Sequence, residues 1–509
     1  MKKLLLILAG AVICCAGVFA QGSDQEAGSD QSCTSIMVGR LASKDGAVIT
    51  SHTCDGKYRT WSFMEPAADH EPGALHPLQK GTMKTAFRGD TTGVVTLGYI
   101  PEAAHTFAYL NTCYPAINEK NVGIGETTFG GPDTLRSAAG LFMVEELQRV
   151  ALQRCSSARQ AVKLMGALAE QYGYADGGEC LTVADEREVW QFEITGPGKG
   201  KVGAVWVAKR VPDDHVAVSA NVPRIGLLER EDSANFLCSS NVEQVALECG
   251  LWDGEDEFKF WEVYNCDYGH GQNHREREWW ILSTLAPSLG LAYDAVELPF
   301  SVRPEIEVDA RKVMELLRST YEGTEYSMVK NLTLNGQVSP IANPWMTTTM
   351  RNMLNELAPG SVEFARNVSV AWCCYSTVID INASRPEPMR AICWLAFDNP
   401  GQSPHIPIFS GSTALPEGFD RCGQNVYDPA IALWKYRKAN KLATLGWQAV
   451  KDIFLANVLD EEQKAFDGLA DLEPCPCKLN AYTQKVFEET SARWERMEAD
   501  YWVAFGMGF

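Results

Sequence analysis

Residues Thr34 to Leu41 and Ala47 to Thr53 are dense in β-branched and apolar side chains, and Ser43-Lys44-Asp45-Gly46 stands between them. Two such runs about a glycine-containing turn predict a β-hairpin. Strands are also predicted from Thr106 to Leu110 and from Val122 to Thr128, flanking a turn at Asn118-Glu119-Lys120. The period then changes. Leu141, Val144, Leu147 and Ala151 recur at helical spacing, which predicts a helix from Ala138 to Arg154. Ser156 or Ser157 is the N-cap of a second helix that ends near Gly173. A meander follows, with strands at 181–184, 188–194, 202–207 and 216–220; Trp190, Phe192 and Ile194 alternate within it. Strands, a helical pair and more strands predict an α+β domain in which helices cover sheets. Helices are expected at 310–322 and 345–358, and strands at 368–381 and 390–397. The tail from Pro429 reads as mostly helical and is expected to pack as a cap. Residues 250–278, acidic and aromatic and then rich in Gly, His and Arg, yield no clear element.

The N-terminus changes the picture. Lys2 and Lys3 precede an apolar run from Leu4 to Phe19, and Val18-Phe19-Ala20 fits a signal-peptidase site, so 1–20 reads as a signal peptide. Export to the periplasm or the extracellular space is the expectation. No later stretch is long and apolar enough to span a bilayer, so stable membrane insertion is not expected. A net charge of -20 argues against nucleic acid and against an anionic membrane surface, because both need clustered Lys and Arg. Fourteen Trp and sixteen Tyr suggest an aromatic-rich core or cleft in a chain of 509 residues. Residues 21–32 are small, polar and acidic, with nothing to bury, and read as a propeptide. Structure is expected to begin abruptly at Cys33, the first residue of a buried strand.

A cysteine at a mature N-terminus carries its own general base. The α-amine has an ordinary pKa of about 7.7–8.0 and the thiol about 8.5, both close to neutral pH. Nucleophile and base then sit on one residue, and no histidine partner is required. A propeptide would hold the amine as an amide until cleavage between Ser32 and Cys33. The plainer alternative makes Cys33 a small core residue or half of a disulfide. Beyond it lie thirteen further cysteines outside the leader, an odd number, with no CxxC pair; Cys373-Cys374 and Cys475-Pro-Cys477 have no recognisable metal spacing. A three-residue turn with Gly46 in the left-handed region pairs Ser43 with Ala47 and Ser35 with Asp55. That register puts Asp55 on the face of Cys33, where it can bind the α-ammonium. A two-residue turn would rotate Asp55 away and leave it a turn residue before Gly56.

The runs Cys33-Thr34-Ser35-Ile36-Met37-Val38-Gly39, Ala42-Ser43-Lys44-Asp45-Gly46 and Ser51-His52-Thr53-Cys54-Asp55-Gly56 closely resemble the start of the dipeptidase and secernin family of N-terminal-nucleophile (Ntn) hydrolases. Further matching pieces are Ile117-Asn118-Glu119-Lys120, Gly125-Glu126-Thr127-Thr128-Phe129-Gly130-Gly131, Val189-Trp190-Gln191-Phe192-Glu193, Ser219-Ala220-Asn221 and Tyr321-Glu322-Gly323-Thr324. The resemblance covers most of the chain from 33 to about 410. It implies a four-layer αββα sandwich of two antiparallel sheets, a Cys33 nucleophile and dipeptide substrates. With the tail added, the expected organisation is a catalytic domain over 33–425 and a helical C-terminal extension over 426–509. The wider superfamily, with penicillin V acylase and bile salt hydrolase, usually carries Arg-x-x-Asp where this chain has His52-Thr53-Cys54-Asp55. Asp55 matches and His52 replaces the arginine. In a regular strand His52 and Asp55 face opposite ways, so both reach one site only where the strand bends or ends. The resemblance maps the asparagine oxyanion donor to Asn221 and a second donor position to Thr128. A dipeptidase must also recognise two charged ends, for which Glu126 (ammonium) and Arg224 (carboxylate) are the candidates.

Other chemistry finds little support. There is no HExxH, GxSxG or phosphate-binding glycine loop. Asp253-Gly254-Glu255-Asp256-Glu257 lacks the alternating ligands of a calcium loop. His270 and His274 stand four apart, but Gly269 and Gly271 disfavour the helix a zinc pair would need. No cofactor and no resident metal are implied. A papain-like Cys-His pair would place its cysteine at a helix start, whereas Cys33 opens a strand. Three readings follow: a self-processing exported dipeptidase, possible as a homo-oligomer; an amidohydrolase of the same chemistry acting on acyl-amino acids, bile-acid conjugates or penicillins; and an inactive binding protein on the same fold, favoured only by His52.

Overall fold

A computed structural model describes residues 33–265 and 272–505; the side chains of 272–274 are outside it. The signal peptide, the propeptide and the His270/His274 pair therefore lie outside the described residues, His274 as a side chain.

The first strand, Ser35–Val38 (β1), lies inside a seven-stranded antiparallel sheet. Its neighbours are Val48–Asp55 (β2) on one side and Val216–Ser219 on the other. The sheet continues from β2 through Cys373–Ile381, Ala391–Phe397 and Ile406–Phe409, and from Val216–Ser219 to Ser301–Val302. A second antiparallel sheet runs, in spatial order, Phe236–Cys238, Val205–Arg210, Val189–Thr195, Gly178–Ala184 and Gly123–Gly130. The middle strands of both sheets are buried along their whole length.

The two sheets meet through small and polar side chains. Thr50 Oγ1 lies 2.6 Å from Thr182 Oγ1, Thr127 Oγ1 lies 2.6 Å from Ser219 Oγ, and Ser35 Oγ donates to the Glu126 carbonyl. At Gly125 a Cβ would fall 2.3 Å from the Ser51 carbonyl oxygen, so only glycine allows this approach. Apolar residues also pack on the outer faces. Val144–Arg154 and Ala158–Tyr172 share a core with Leu181, Val183, Trp190 and Phe192 of the second sheet. The expected N-cap holds: Ser157 accepts from the Gln160 N–H, and Gly173 closes that helix. The first of the two helices starts at Val144 rather than Ala138, because Leu141 and Phe142 bond instead to the carbonyl of Gly173.

Helices Gln272–Leu285 and Ala310–Leu317 and the tail helices Ala432–Ala443, Trp447–Asp467 and Pro476–Phe505 share one apolar core with the seven-stranded sheet. Trp394 stacks on Phe466 at 4.0 Å between ring centroids, and Trp494 meets Tyr436 and Phe454 edge-on. The C-terminal region is thus helical and is bonded into the main core by large aromatics. Among the described residues no helix is long and apolar enough to cross a membrane.

One expectation fails. β1 and β2 pair with Val38 opposite Ile49, so the tight hairpin with Ser43 opposite Ala47 and Ser35 opposite Asp55 does not form. The same register brings Thr34 level with Thr53, whose N–H donates to the Thr34 carbonyl at 3.0 Å. The physical reason lies beyond the pair. Gly39 and Leu41 bond to the backbone of His215 and Asp213, and Lys44 bonds to Val308, so the link between the strands is drawn out along two other segments. Gly46 still takes the left-handed conformation, with φ 78°.

Candidate active site

Cys33 is fully buried just ahead of β1. β1 pairs with Val216–Ser219 so that Ser35 faces Ser219, and two further residues in that register bring Cys33 level with Asn221. Arg277 ties the two together. Its guanidinium donates to the Cys33 carbonyl at 2.6 Å and Thr34 Oγ1 at 2.9 Å, and to the Ala220 carbonyl at 3.0 Å and Asn221 Oδ1 at 2.8 Å. Asn221 stands at φ 64°, a conformation asparagine tolerates better than most residues. Its amide donates one hydrogen to the Thr128 carbonyl at 2.6 Å, which leaves a second N–H for another acceptor.

His52 and Glu126 complete the other side. Cys33 Sγ, a His52 ring nitrogen and a Glu126 carboxylate oxygen all lie within 4.8 Å of one another. His52 Nε2 and Glu126 Oε2 are 3.7 Å apart, and neither has a hydrogen-bond partner. Burial pushes the imidazole pKa down to about 3, so His52 is neutral at ordinary pH and is not the fixed cation an arginine would be. Its ring rests edge-on against Tyr114 at 5.0 Å. Thr128 Oγ1 donates to Glu126 Oε1 at 3.0 Å, so in this arrangement the hydroxyl serves the carboxylate.

Asp55 reaches the same place from the end of β2. The ladder between β2 and Cys373–Ile381 is irregular where Asp55 and Cys54 meet Cys373 and Tyr375. This bend lets residues 52 and 55 serve one site despite their odd spacing. The Asp55 carboxylate pairs with Arg366 at 2.9 Å and accepts from Thr53 Oγ1 at 3.2 Å, while Oδ1 stays buried without a partner. Burial raises its pKa against the pull of Arg366. The Cys33 thiol is pushed well up by burial and by the charges of Glu126 and Asp55, with the Asp55 N–H acting in the opposite sense. It therefore rests as a thiol.

Six of the seven side chains singled out from sequence thus converge: Cys33, His52, Asp55, Glu126, Thr128 and Asn221. Arg224 does not join them. Its guanidinium pairs with Glu278 at 3.1 Å and donates to the carbonyls of Leu298 and Pro299, which hold it in place. Arg277, Arg366 and Glu179 had no sequence signal. The two arginines come from segments with no local motif, and Glu179 precedes the point where the strand was expected to begin.

Burial raises the carboxyls of both Glu126 and Glu179; Glu126 raises Glu179 further, whereas the proximity of Glu179 acts to lower Glu126. Asp176 adds its charge to both, and also to Glu145. Burial first, then Asp176 and Glu146, raise Glu145 from 4.5 to about 8. A raised carboxyl retains its proton in the fold after the unfolded chain has lost it, so its contribution to stability falls as pH rises between those values. Glu145→Gln has no such loss. Urea unfolding at pH 5 and pH 8 is expected to show the variant gaining on the wild type at the higher pH. A difference that stays constant would mean that Glu145 is ionised in the fold at both.

The model of Peptidase family C69 matches residues 32–458. A probable dipeptidase of Latilactobacillus sakei is 25% identical over 397 residues, covering 76% of each chain. A probable dipeptidase of Salmonella dublin is 25% identical over 405 residues, covering 76% of this chain and 83% of that one. Dipeptidase A of Lactobacillus helveticus is 20% identical over 414 residues, covering 76% of this chain and 77% of that one. With the match running across most of its length and taking in the whole cluster around Cys33, this chain belongs to peptidase family C69.

Proposed function

We propose that the protein is an exported cysteine dipeptidase that removes its own leader, exposes Cys33 as N-terminal nucleophile and works on a four-layer αββα Ntn-hydrolase scaffold. The observation that carries this reading is the meeting of a buried thiol at the start of a strand with Asn221, Asp55 and a buried acid pair. The two sheets, facing each other through polar side chains and backed by apolar helices, support the scaffold.

In this mechanism the α-amine of mature Cys33 takes the thiol proton, and the thiolate attacks the peptide carbonyl. The free N–H of Asn221 donates to the developing oxyanion, a contact worth about 2.7–4 kcal/mol where one such donor has been removed. The amine passes its proton to the leaving amine and then activates water to clear the thioester. Asp55, with one carboxylate oxygen unpartnered, holds the α-ammonium. Glu126 and Glu179 receive the ammonium of the substrate. A buried acid pair favours a dipeptide over an acylated amide, which has no cation to offer it. The partner of the substrate carboxylate is not Arg224 in its present pairing.

The test is a panel of dipeptides beside acyl-amino acids, bile-acid conjugates and penicillin V, with the mature N-terminus read by mass. Dipeptide turnover by protein beginning at Cys33 is expected. Turnover only of the acyl-amides moves the substrate class, and an active form that begins at Gln21 removes the mechanism.

Asp55→Asn is expected to lower dipeptide turnover and stability together. The exchange keeps the shape but leaves the Arg366 guanidinium buried opposite a neutral amide, and breaking such a pair costs about 3–5 kcal/mol. Urea unfolding and steady-state kinetics on the folded variant measure the two effects. Full turnover in a destabilised protein would confine Asp55 to a structural role.

A further inference from the structure

Three metal-binding donors of different type stand together at the site. They are the thiol of Cys33, the imidazole of His52 and the carboxylate of Glu126, all buried. Two of the donor atoms, His52 Nε2 and Glu126 Oε2, are buried without a hydrogen-bond partner and face each other at 3.7 Å, too far to bond directly. Ligands around tetrahedral zinc, at about 2.0–2.3 Å from the ion, lie about 3.3–3.7 Å from one another. The 3.7 Å separation across His52 and Glu126 is within about 0.1–0.4 Å of what a nitrogen and an oxygen ligand need, and the 4.8 Å limit on the full set requires a contraction of only about an ångström.

Maturation would add a fourth donor. This step rests on the proposed cleavage before Cys33. A free α-amine and the thiolate of one cysteine close a five-membered chelate, and with His52 and Glu126 they make an N, S, N, O set, the coordination number zinc prefers. A path that opens on maturation to admit a dipeptide to Cys33 would also admit a small hydrated ion. A guanidinium at position 52 would offer no lone pair and would repel the ion, so the histidine is what makes the set competent.

We propose that mature Cys33, His52 and Glu126 form a binding site for a divalent cation of the zinc class, which inhibits the enzyme reversibly by occupying its nucleophile and base. No electron is transferred. The thiol proton, and the proton of any α-ammonium or carboxylic acid that becomes a ligand, leave to solvent, so binding tightens as pH rises.

The exported protein, its N-terminus read by mass and its metals removed by chelator, is titrated with Co2+ and then with Zn2+. One Co2+ per chain is expected, with an intense near-ultraviolet thiolate-to-cobalt band and visible bands of tetrahedral strength. Zn2+ should erase both and lower dipeptide turnover by about tenfold or more at one equivalent, with recovery on adding chelator. Cys33→Ala should lose the near-ultraviolet band, and His52→Arg should lose the bound ion. Absence of the band from an active protein, or a band that survives His52→Arg, overturns the proposal. The spectrum does not depend on turnover, so a tetrahedral cobalt site in a protein that cleaves no dipeptide leaves the metal site standing and removes the dipeptidase reading. Absence of both removes both.

Discussion

Cys33→Ala is expected to accumulate as a folded precursor that cleaves no dipeptide, while Cys33→Ser processes slowly and retains little turnover. The two variants differ only in whether position 33 carries a nucleophile. The fold should survive either change, because the strongest bonds to residue 33 are backbone bonds. Arg277 grips its carbonyl, and Thr34 next to it is bonded to Thr53 through both main chain and side chain. Exchanging one small buried side chain for another leaves a cavity no larger than a sulfur atom. The chemistry should not survive. Loss of a nucleophile that acts as a unit with its base costs at least about 10³-fold in turnover. Serine retains an oxygen, but its hydroxyl ionises far less readily than a thiol, and the buried acidic surroundings that already push the Cys33 thiol up would oppose an alkoxide more strongly. Expression of both variants, N-terminal masses and a dipeptide assay decide the matter. If Cys33→Ala is cleaved before residue 33 as efficiently as wild type, another protease does the processing. If it also hydrolyses dipeptides at the wild-type rate, Cys33 is structural.

The parts of this site that were legible in the sequence are those written in local pattern. The strand-like run after an acidic leader placed Cys33 at the mouth of a sheet. Ser219-Ala220-Asn221 lay at the end of an alternating strand, and a helix pair with a serine cap and a terminal glycine was recognisable from its period. What remained hidden depends on bonds between distant segments. The register of β1 on β2 could not be read from Ser43 to Gly46, because Gly39 and Leu41 are drawn off by Asp213 and His215, more than 170 residues away in sequence. Asp55 reaches Cys33 through a bend imposed by the strand Cys373–Ile381, not through the alternation of its own strand. Arg277 lies in the stretch 250–278 that carried no period. Its helix, Gln272–Leu285, buries Glu276, Arg277 and Glu278 as well as Trp279, Ile281 and Leu282, so a pattern of hydrophobic positions leaves the three charged residues unmarked. Arg224 shows the converse. Its place beside Asn221 in sequence says nothing of Glu278, which claims its guanidinium.

Asn221→Gly is expected to lower kcat by about 10²–10³-fold with little change in KM, because in the proposed mechanism the donor it removes acts on charge that exists only in the transition state. Glycine is the informative exchange here. Asn221 sits at φ 64°, where alanine would add backbone strain of about 1–2 kcal/mol and confuse a loss of stability with a loss of catalysis. Glycine takes that conformation freely and deletes the amide alone. The deletion also removes one donor to the Thr128 carbonyl and one acceptor from Arg277, but Arg277 retains its bonds to the carbonyls of Cys33 and Ala220 and to Thr34, so residue 33 should stay in register. Asn221→Asp provides the complementary case. A carboxylate of the same shape would bond Arg277 more strongly while presenting an acceptor to the Thr128 carbonyl and to the oxyanion, so a folded protein with turnover at or below that of the glycine variant is expected. Steady-state kinetics on a dipeptide, with urea unfolding alongside, separates the outcomes. A glycine variant whose KM rises while kcat holds would make Asn221 a substrate-binding residue, and one that retains wild-type kinetics would move the oxyanion donor elsewhere in the site.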